Sequence, residues 1–155
     1  MTSIESQPPE PASADPLAAF WQERRYATLT TLRPDGTPHV VPVSVTYEPG
    51  PGREPGTGTR GGTGTGATAR VVAGRGSKKV RNIEAAGSDG MRVSLCQFEG
   101  RRWSTLEGRA RIRTDAAAVA DAERRYEERY GRRPRPNPER VLIEIAVERT
   151  LGPMA

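Results

Sequence analysis

The sequence predicts a mainly β protein with three helices (α+β), in which six short antiparallel strands close into a barrel. Six runs of β-branched and apolar residues alternate with period two, as half-buried strands do. Turn residues separate these runs, and helical spacing occurs in only three segments. The predicted order is helix, three strands, helix, two strands, helix, strand. We expect the sheet to close because closure removes exposed strand edges.

The first elements are a short amphipathic helix and a β-hairpin. The helix is predicted over about 16–25, since Asp15 is a good N-cap and the proline after it suits the first helical position. Strands over 27–32 and 39–47 follow, joined by a Pro-Asp-Gly turn. Pro42 cannot donate a ladder hydrogen bond, which places it at a sheet edge, at a bulge or beside something other than a strand.

The second half of the chain supplies the remaining elements. Ser77 is expected to cap the second helix, and Gly87 lies just past its end. Val119, Ala122, Tyr126 and Tyr130 are expected to form the buried stripe of the third helix. The predicted ranges are a strand over 67–73, a helix over 78–86, strands over 91–97 and 103–113, a helix over 116–130 and a strand over 141–147.

Two segments, 1–14 and 48–66, contain almost no large apolar side chain. They lack the apolar surface that would offset the entropy of ordering, so we expect a disordered tail and a flexible Gly/Thr-rich insertion. The remainder, 15–155, is predicted to be one domain. We also expect the insertion between 50 and 66 to be dispensable, since long surface loops add little closure entropy.

Composition limits the compartment and the partner. The chain has no run of 18 apolar residues and no basic segment followed by an apolar one at its start, so we expect neither a membrane span nor a signal peptide. A lone Cys96 suits a reducing compartment, which favours the cytoplasm. The net charge of +5 indicates an anionic partner, either nucleic acid or a small ligand with phosphates and carboxylates.

Several common chemistries lack their motifs. One histidine and one cysteine cannot form a Cys/His metal cluster, so no metal is expected. The Gly/Thr-rich stretch 56–66 lacks the Gly-Lys-Ser/Thr ending of a phosphate loop and precedes a strand. We identify no catalytic acid or base.

The most informative segment, 70–82, predicts a strand, a glycine-containing loop and a helix that begins with cations. Helix N-termini bind anions well, whereas Lys78, Lys79 and Arg81 would repel that end of the dipole unless an anion offset them. The alternative is a solvated basic helix face. Lys79 and Asn82 share one face by their spacing, so this pair can serve a ligand while the other cations stay solvated.

Two further places suit a ligand but also have ordinary structural explanations. His39 begins a strand, and it is either a hairpin-end histidine or part of a cofactor wall with the three residues after it. Gln97, Arg102 and Trp103 flank a predicted hairpin. Trp103 is either core, or a ring that stacks on a ligand or seals a subunit interface.

Taken in order, these segments resemble the pyridoxamine 5′-phosphate oxidase-like family of FMN-binding split β-barrels. The upstream motifs are LTTL at 29–32, DGTPHVVPV at 35–43 and GSKKVRN at 76–82. The downstream motifs resemble the actinobacterial branch that binds F420, in which F420-dependent biliverdin reduction is a characterised activity. They are QFEGRRW at 97–103, LEGRA at 106–110, and Tyr126 with RPRPNP at 133–138.

The resemblance implies a homodimer with two cofactor sites at the subunit interface. It implies that Lys79, Asn82 and Ser77 hold the phosphate, that strand 39–42 lies along the ring system, and that Trp103 comes from the other subunit. The candidate cofactor-binding residues are His39, Val40, Val41, Pro42, Arg70, Val72, Arg75, Ser77, Lys78, Lys79, Asn82, Gln97, Arg102 and Trp103.

The function that the resemblance implies is hydride transfer from reduced F420 to an unsaturated, biliverdin-like small molecule. The phosphate and oligoglutamate tail of F420 suit a basic protein. An FMN-binding oxidoreductase of the same fold and a non-catalytic F420 carrier or sensor are the alternatives. A nucleic-acid-binding barrel is disfavoured, because Phe and Trp together number only four.

Overall fold

The computed structural model describes residues 15–51 and 64–154, which form three helices and seven strands. The expectations for 1–14, and for the insertion over 52–63, lie outside the described residues. The helices are α1 (Pro16–Gln22), α2 (Lys78–Ala85) and α3 (Ala116–Tyr130). The strands are β1 (Ala27–Leu32), β2 (Pro38–Val43), β3 (Thr46–Glu48), β4 (Thr68–Gly74), β5 (Met91–Glu99), β6 (Arg102–Arg113) and β7 (Arg140–Leu151).

All seven strands form one antiparallel sheet in the order β2-β1-β5-β6-β7-β4-β3. The strands at the two ends of the sheet, β2 and β3, are consecutive in the chain and are joined only by Ser44 and Val45. Three Cα–Cα steps reach about 11 Å at most, so the two ends of the sheet must meet. A covalent link therefore closes the barrel between these strands, and the predicted split β-barrel is confirmed.

The sequence prediction of one strand over 39–47 is wrong, and the strand count is seven rather than six. The chain leaves the sheet at Ser44 and Val45 because the backbone of Val45 forms hydrogen bonds with side chains of α3 instead of with a neighbouring strand. The Val45 N–H donates to the Tyr130 hydroxyl over 3.1 Å, and the Val45 carbonyl accepts from the Arg129 guanidinium. Val43 and Val45 are both buried, so the period-two alternation runs through the break.

The barrel interior is an apolar cluster to which every sheet strand and two helices contribute. Leu29, Leu95, Leu106 and Ile143 are fully buried at its centre. Helix α1 adds Phe20 and Trp21, and α2 adds Val80 and Ile83. Helix α3 instead packs against β3, β4 and β7.

The buried stripe predicted for α3 is only partly correct. Ala122 is buried as expected, but Val119, Tyr126 and Tyr130 are half-buried. Arg129 is the other buried residue of this helix, since its guanidinium lies among backbone carbonyls rather than in solvent. The described helices include none that is long and apolar enough to cross a membrane.

The hairpin turn and the cap of α1 are confirmed, whereas Ser77 occupies the N-cap position of α2 without the expected side-chain hydrogen bond. Gly36 adopts a φ of +85° in the hairpin turn, where its N–H donates to the Arg33 carbonyl. Asp15 caps α1 through the Leu17 N–H, and Asp115 caps α3 through the Ala118 N–H.

The ends of the described chain on either side of the insertion lie side by side. The N–H and hydroxyl of Thr65 both donate to the Val147 carbonyl. A Cβ on Gly50 would lie 2.3 Å from the carbonyl oxygen of Thr65, so the two backbones are in contact there. A chain that joins Pro51 directly to Gly64 therefore needs little rearrangement.

We expect deletion of residues 52–63 to change the free energy of unfolding by less than about 0.5 kcal/mol, because it removes none of the described contacts. Urea unfolding of the two proteins measures this. Extending the deletion through Thr65 is the control, and it should destabilise because the hydrogen bonds to Val147 are lost. A protein that is insoluble after the shorter deletion would contradict the prediction.

Candidate functional site

The start of α2 presents a buried hydroxyl that has no hydrogen-bond partner among the described residues. Ser77 has the extended backbone of an N-cap, with φ −69° and ψ 150°, and its carbonyl accepts from the Arg81 N–H over 3.1 Å. Its side chain, however, makes no capping hydrogen bond, and its Oγ is buried and unpartnered. Buried polar atoms are nearly always paired, so this hydroxyl marks a place where a polar group is missing.

One turn further along α2, Asn82 presents a second such atom. Asn82 is only 1% exposed, and its Nδ2 donates to the Thr31 hydroxyl over 3.0 Å. Its Oδ1 is buried without a partner among the described residues. The hydrogen bond to Thr31 ties α2 to β1 and fixes the direction in which the free oxygen points.

The third atom belongs to β2. His39 is the direct partner of Thr31 in the β1–β2 ladder, so the two side chains lie on the same face of the sheet. The Nδ1 atom of His39 is buried and, within the part of the chain that the structure describes, unpartnered. Thr31 therefore links Asn82 of α2 to His39 of β2, two residues that are 43 positions apart in the sequence.

Lys79 supplies positive charge to this face of α2. It lies three residues before Asn82, on the same side of the helix, and it is half-buried. Burial lowers the pKa of its ammonium group. No carboxylate of residues 15–51 or 64–154 lies within 4 Å of this ammonium group. A bound anion would offset this cost, whereas Arg75, Lys78 and Arg81 are exposed and need no such partner.

Strand β2 gives the site an apolar wall with an open edge. It pairs with β1 alone, at one end of the sheet. Pro42 therefore lies in an edge strand, as its missing N–H predicted. Val40 is 56% exposed and lies with Pro42 on one face of β2, whereas Val41 lies on the opposite face with His39 and packs against the barrel core.

The structure does not bring Arg70 and Val72 to this place. Along β4 the inner residues are buried, while Arg70 and Val72 point to the outer face that α3 covers. The Arg70 guanidinium pairs with Glu48 over 2.6 Å, and Glu48 also pairs with Arg125 of α3. Val72 lines a small cavity with Tyr126.

Gln97 and Arg102 are held by contacts within the protomer. Gln97 is fully buried, with Nε2 donating to the Phe20 carbonyl over 2.8 Å and Oε1 accepting from Arg129 over 2.8 Å. Arg102 pairs with Glu23 over 2.7 Å and with Glu99. The polar groups of Gln97 are therefore occupied in the core, and those of Arg102 in surface ion pairs.

Trp103 differs from its two neighbours because it is not a core residue. It is 39% exposed, and across the β5–β6 hairpin it faces Phe98, which is 65% exposed. A Cβ on Gly152 would lie 2.9 Å from its ring, so the glycine lets the indole lie flat on the end of β7. The outer side of this indole is free to contact another molecule.

The Arg102–Glu23 pair makes a testable contribution to stability. Hydrogen bonds from Arg102 and, to a smaller extent, from Arg25 lower the pKa of Glu23 from 4.5 to about 2. Because this pKa is lowered on folding, the stabilisation is complete above pH 4.5 and is lost as the pH falls to about 2. We expect Glu23→Gln to unfold at lower urea than the wild type at pH 6, and the difference to shrink at pH 3. A constant difference would contradict this prediction.

Thr31 is the residue of this candidate site that sequence reasoning missed. It lies on the inner face of β1 with Ala27 and Leu29, where an apolar residue is expected, and it is fully buried. The signal that could have identified Thr31 is a polar residue at a position of β1 that faces the barrel interior. Among the described residues no group of His, Cys, Asp and Glu could hold a metal ion.

Comparison with known proteins agrees with this architecture. The family model for pyridoxamine 5′-phosphate oxidase matches residues 14–152. The chain is 44% identical over 139 residues to an F420H(2)-dependent biliverdin reductase of Mycobacterium tuberculosis (strain CDC 1551 / Oshkosh), covering 90% of this chain and 87% of that protein.

Two solved structures are similar in fold. One is an F420 reductase, with a TM-score of 0.59, 20% identity, and coverage of 86% of this chain and 94% of that one. The other is general stress protein 26 of Bacillus anthracis strain Sterne, with a TM-score of 0.58, 22% identity, and coverage of 87% and 88%. The motifs, the barrel and the match over residues 14–152 agree, and the chain belongs to the pyridoxamine 5′-phosphate oxidase family.

Proposed function

We propose that this protein is an F420-dependent reductase that binds the cofactor between the start of α2 and strand β2. The observation that carries the proposal is the set of unpartnered buried atoms of Ser77, Asn82 and His39 beside the half-buried Lys79. A ligand with an anionic group and further polar groups would satisfy them. The relative at 44% identity is named for its dependence on F420H(2), which supports this cofactor over FMN.

The donors and acceptors divide between two parts of such a ligand. The Ser77 hydroxyl, the Lys79 ammonium and the first N–H groups of α2 are donors, and they suit a phosphate. Asn82 uses its Nδ2 on Thr31, so its free Oδ1 is an acceptor and suits a hydroxyl group of the ligand. Val40, Val41 and Pro42 on the open edge of β2 would lie along the ring system.

The chemistry that reduced F420 would supply when bound at this site is hydride transfer to the substrate. The protein's part in this chemistry is to hold the phosphate, to orient the ring against β2 and to keep water from its face. We propose an unsaturated, biliverdin-like small molecule as the substrate and the cytoplasm as the compartment.

We propose that the functional unit is a homodimer in which the second copy completes each site. Phe98, Trp103 and Leu151 are exposed at neighbouring positions on β5, β6 and β7, and a partner subunit would cover this apolar surface. Trp103 would then reach the cofactor of the other protomer. Arg70, Val72, Gln97 and Arg102 would support the site indirectly, through contacts within the protomer.

Sedimentation equilibrium at micromolar protein with F420 present is expected to give twice the 16.8 kDa mass of one chain. Phe98→Ser should shift the protein toward the monomer because it replaces an exposed ring with a polar side chain. Phe98 lies outside the proposed cofactor contacts, so a change in the mass distribution of this variant reports on the interface alone. A wild-type monomer would contradict both the dimer and the shared site.

The reductase activity is tested by mixing the protein anaerobically with reduced F420 and biliverdin. We expect F420 to be reoxidised and biliverdin to be reduced in equal amounts, at a rate proportional to protein. Reduced FMN in place of F420 is the control and should be inactive. Binding of F420 without turnover of any tested substrate would favour a carrier instead.

A further inference from the structure

A cavity lies away from the proposed cofactor site, between α1, β3 and α3. Its volume is about 530 Å3, which is enough for a small organic ligand. Its lining includes Arg24, Tyr47, Pro49, Glu128 and Arg129. None of these is among the residues that the proposed cofactor contacts.

The charge of this cavity is positive because its acids are already neutralised. Glu48 pairs with Arg70 over 2.6 Å and with Arg125 over 3.3 Å, and Glu128 pairs with Arg124 over 2.8 Å. Within residues 15–51 and 64–154, neither Arg24 nor Arg129 has a carboxylate within 4 Å. The N–H groups of Arg129 already donate to the carbonyls of Glu23 and Val45 and to the side chain of Gln97, so among the described residues Arg24 is the lining cation that remains available to a ligand.

Strand β3 carries two neighbouring hydroxyl side chains, which point to opposite faces of the strand. In the part of the chain that the structure describes, the Tyr47 hydroxyl makes no hydrogen bond, and the Thr46 Oγ1 is buried and unpartnered. Burial raises the pKa of Tyr47, so its phenol stays a neutral donor. The Tyr47 ring, backed by Trp21 at 6.4 Å, and Pro49 form an apolar wall beside this donor.

We propose that this cavity binds a small aromatic carboxylate, with Arg24 and Tyr47 holding the carboxylate and the ring lying against Pro49. Guanidinium and phenol donors match carboxylate oxygens, and the acids that line the cavity already have arginine partners. A neutral ligand of the same shape would leave the Arg24 charge unpaired, so the site discriminates by charge. This inference does not depend on the identity of the cofactor.

The test is a titration with 2-naphthoate, followed by its fluorescence, with 2-naphthamide as the neutral probe of the same shape. We expect saturable binding of one naphthoate per chain and at least tenfold weaker binding of the amide. Arg24→Gln and Tyr47→Phe should each weaken naphthoate binding about tenfold or more. Arg111→Gln, which removes an exposed arginine outside the cavity, should not.

The same variants separate this site from the cofactor site. Arg24→Gln and Tyr47→Phe should bind F420 as tightly as the wild type, and Lys79→Met should bind naphthoate as tightly as the wild type. Thermal unfolding of each variant shows whether it is folded. Equal affinity for the acid and the amide, or for wild type and Arg24→Gln, would overturn the proposal.

Discussion

Replacing Lys79 with methionine is expected to weaken F420 binding by roughly ten- to a hundred-fold. The substitution keeps the aliphatic stem and removes a charge-assisted hydrogen bond from a half-buried site, and such bonds contribute about 1.5–3 kcal/mol. Fluorescence titration with F420 measures the loss. High salt should weaken wild-type binding in the same direction, because the attraction is electrostatic and only partly buried.

Stability should not fall in the same variant. Burial lowers the pKa of Lys79, so the charged form is less favourable in the folded than in the unfolded protein. Removing the cation from the positive end of α2 also relieves its repulsion by the helix dipole. The matched control is Arg81→Met, which removes a cation from the exposed face of the same helix. If Lys79→Met were stable and bound F420 normally, the anion site would have to lie elsewhere.

Replacing Arg129 with methionine is expected to destabilise the fold by about 3–5 kcal/mol. Its guanidinium donates to the carbonyls of Glu23 and Val45 and to the side chain of Gln97. These groups belong to the end of α1, to the link between β2 and β3, and to β5. The substitution would leave buried acceptors unpaired at the point where the barrel closes.

The measurement is urea unfolding of Arg129→Met beside Arg124→Met. Arg124 lies on the same helix and makes only exposed ion pairs, with Asp121 and Glu128, so its loss should cost less than about 1 kcal/mol. Arg129→Lys should fall between the two, since an ammonium group cannot reach all three acceptors. Equal free energies of unfolding for the two methionine variants would show that Arg129 does not stabilise the closure of the barrel.

The hairpin, the cap of α1 and the barrel could be predicted because their signals are local. Asp15 and Gly36 form hydrogen bonds with residues two and three positions away, and period-two alternation indicates which side of a strand is buried. The break at Ser44 and Val45 could not be predicted in this way. It depends on hydrogen bonds of Val45 with Arg129, which donates, and with the Tyr130 hydroxyl, which accepts, about 85 residues later in the chain, and it leaves the alternation intact.

The residues of the candidate site also fall into two groups, those whose position follows from local spacing and those whose position depends on distant partners. Ser77, Lys79 and Asn82 lie within one turn and a half of helix, so their shared face follows from spacing. Arg70 and Gln97 were grouped with them by resemblance, but their partners Glu48 and Arg129 come from other elements and decide where each side chain points. Long-range pairing of this kind leaves no pattern in a single sequence.

The central claim, an F420 site between α2 and β2, is tested most directly by equilibrium titration of the purified protein with F420 and with FMN. The account predicts saturation at one F420 per chain, at least tenfold weaker binding of FMN, and F420 binding that is weakened about tenfold or more in Lys79→Met but not in Arg81→Met. Tighter binding of FMN than of F420, or F420 binding that is identical in all three proteins, would contradict it.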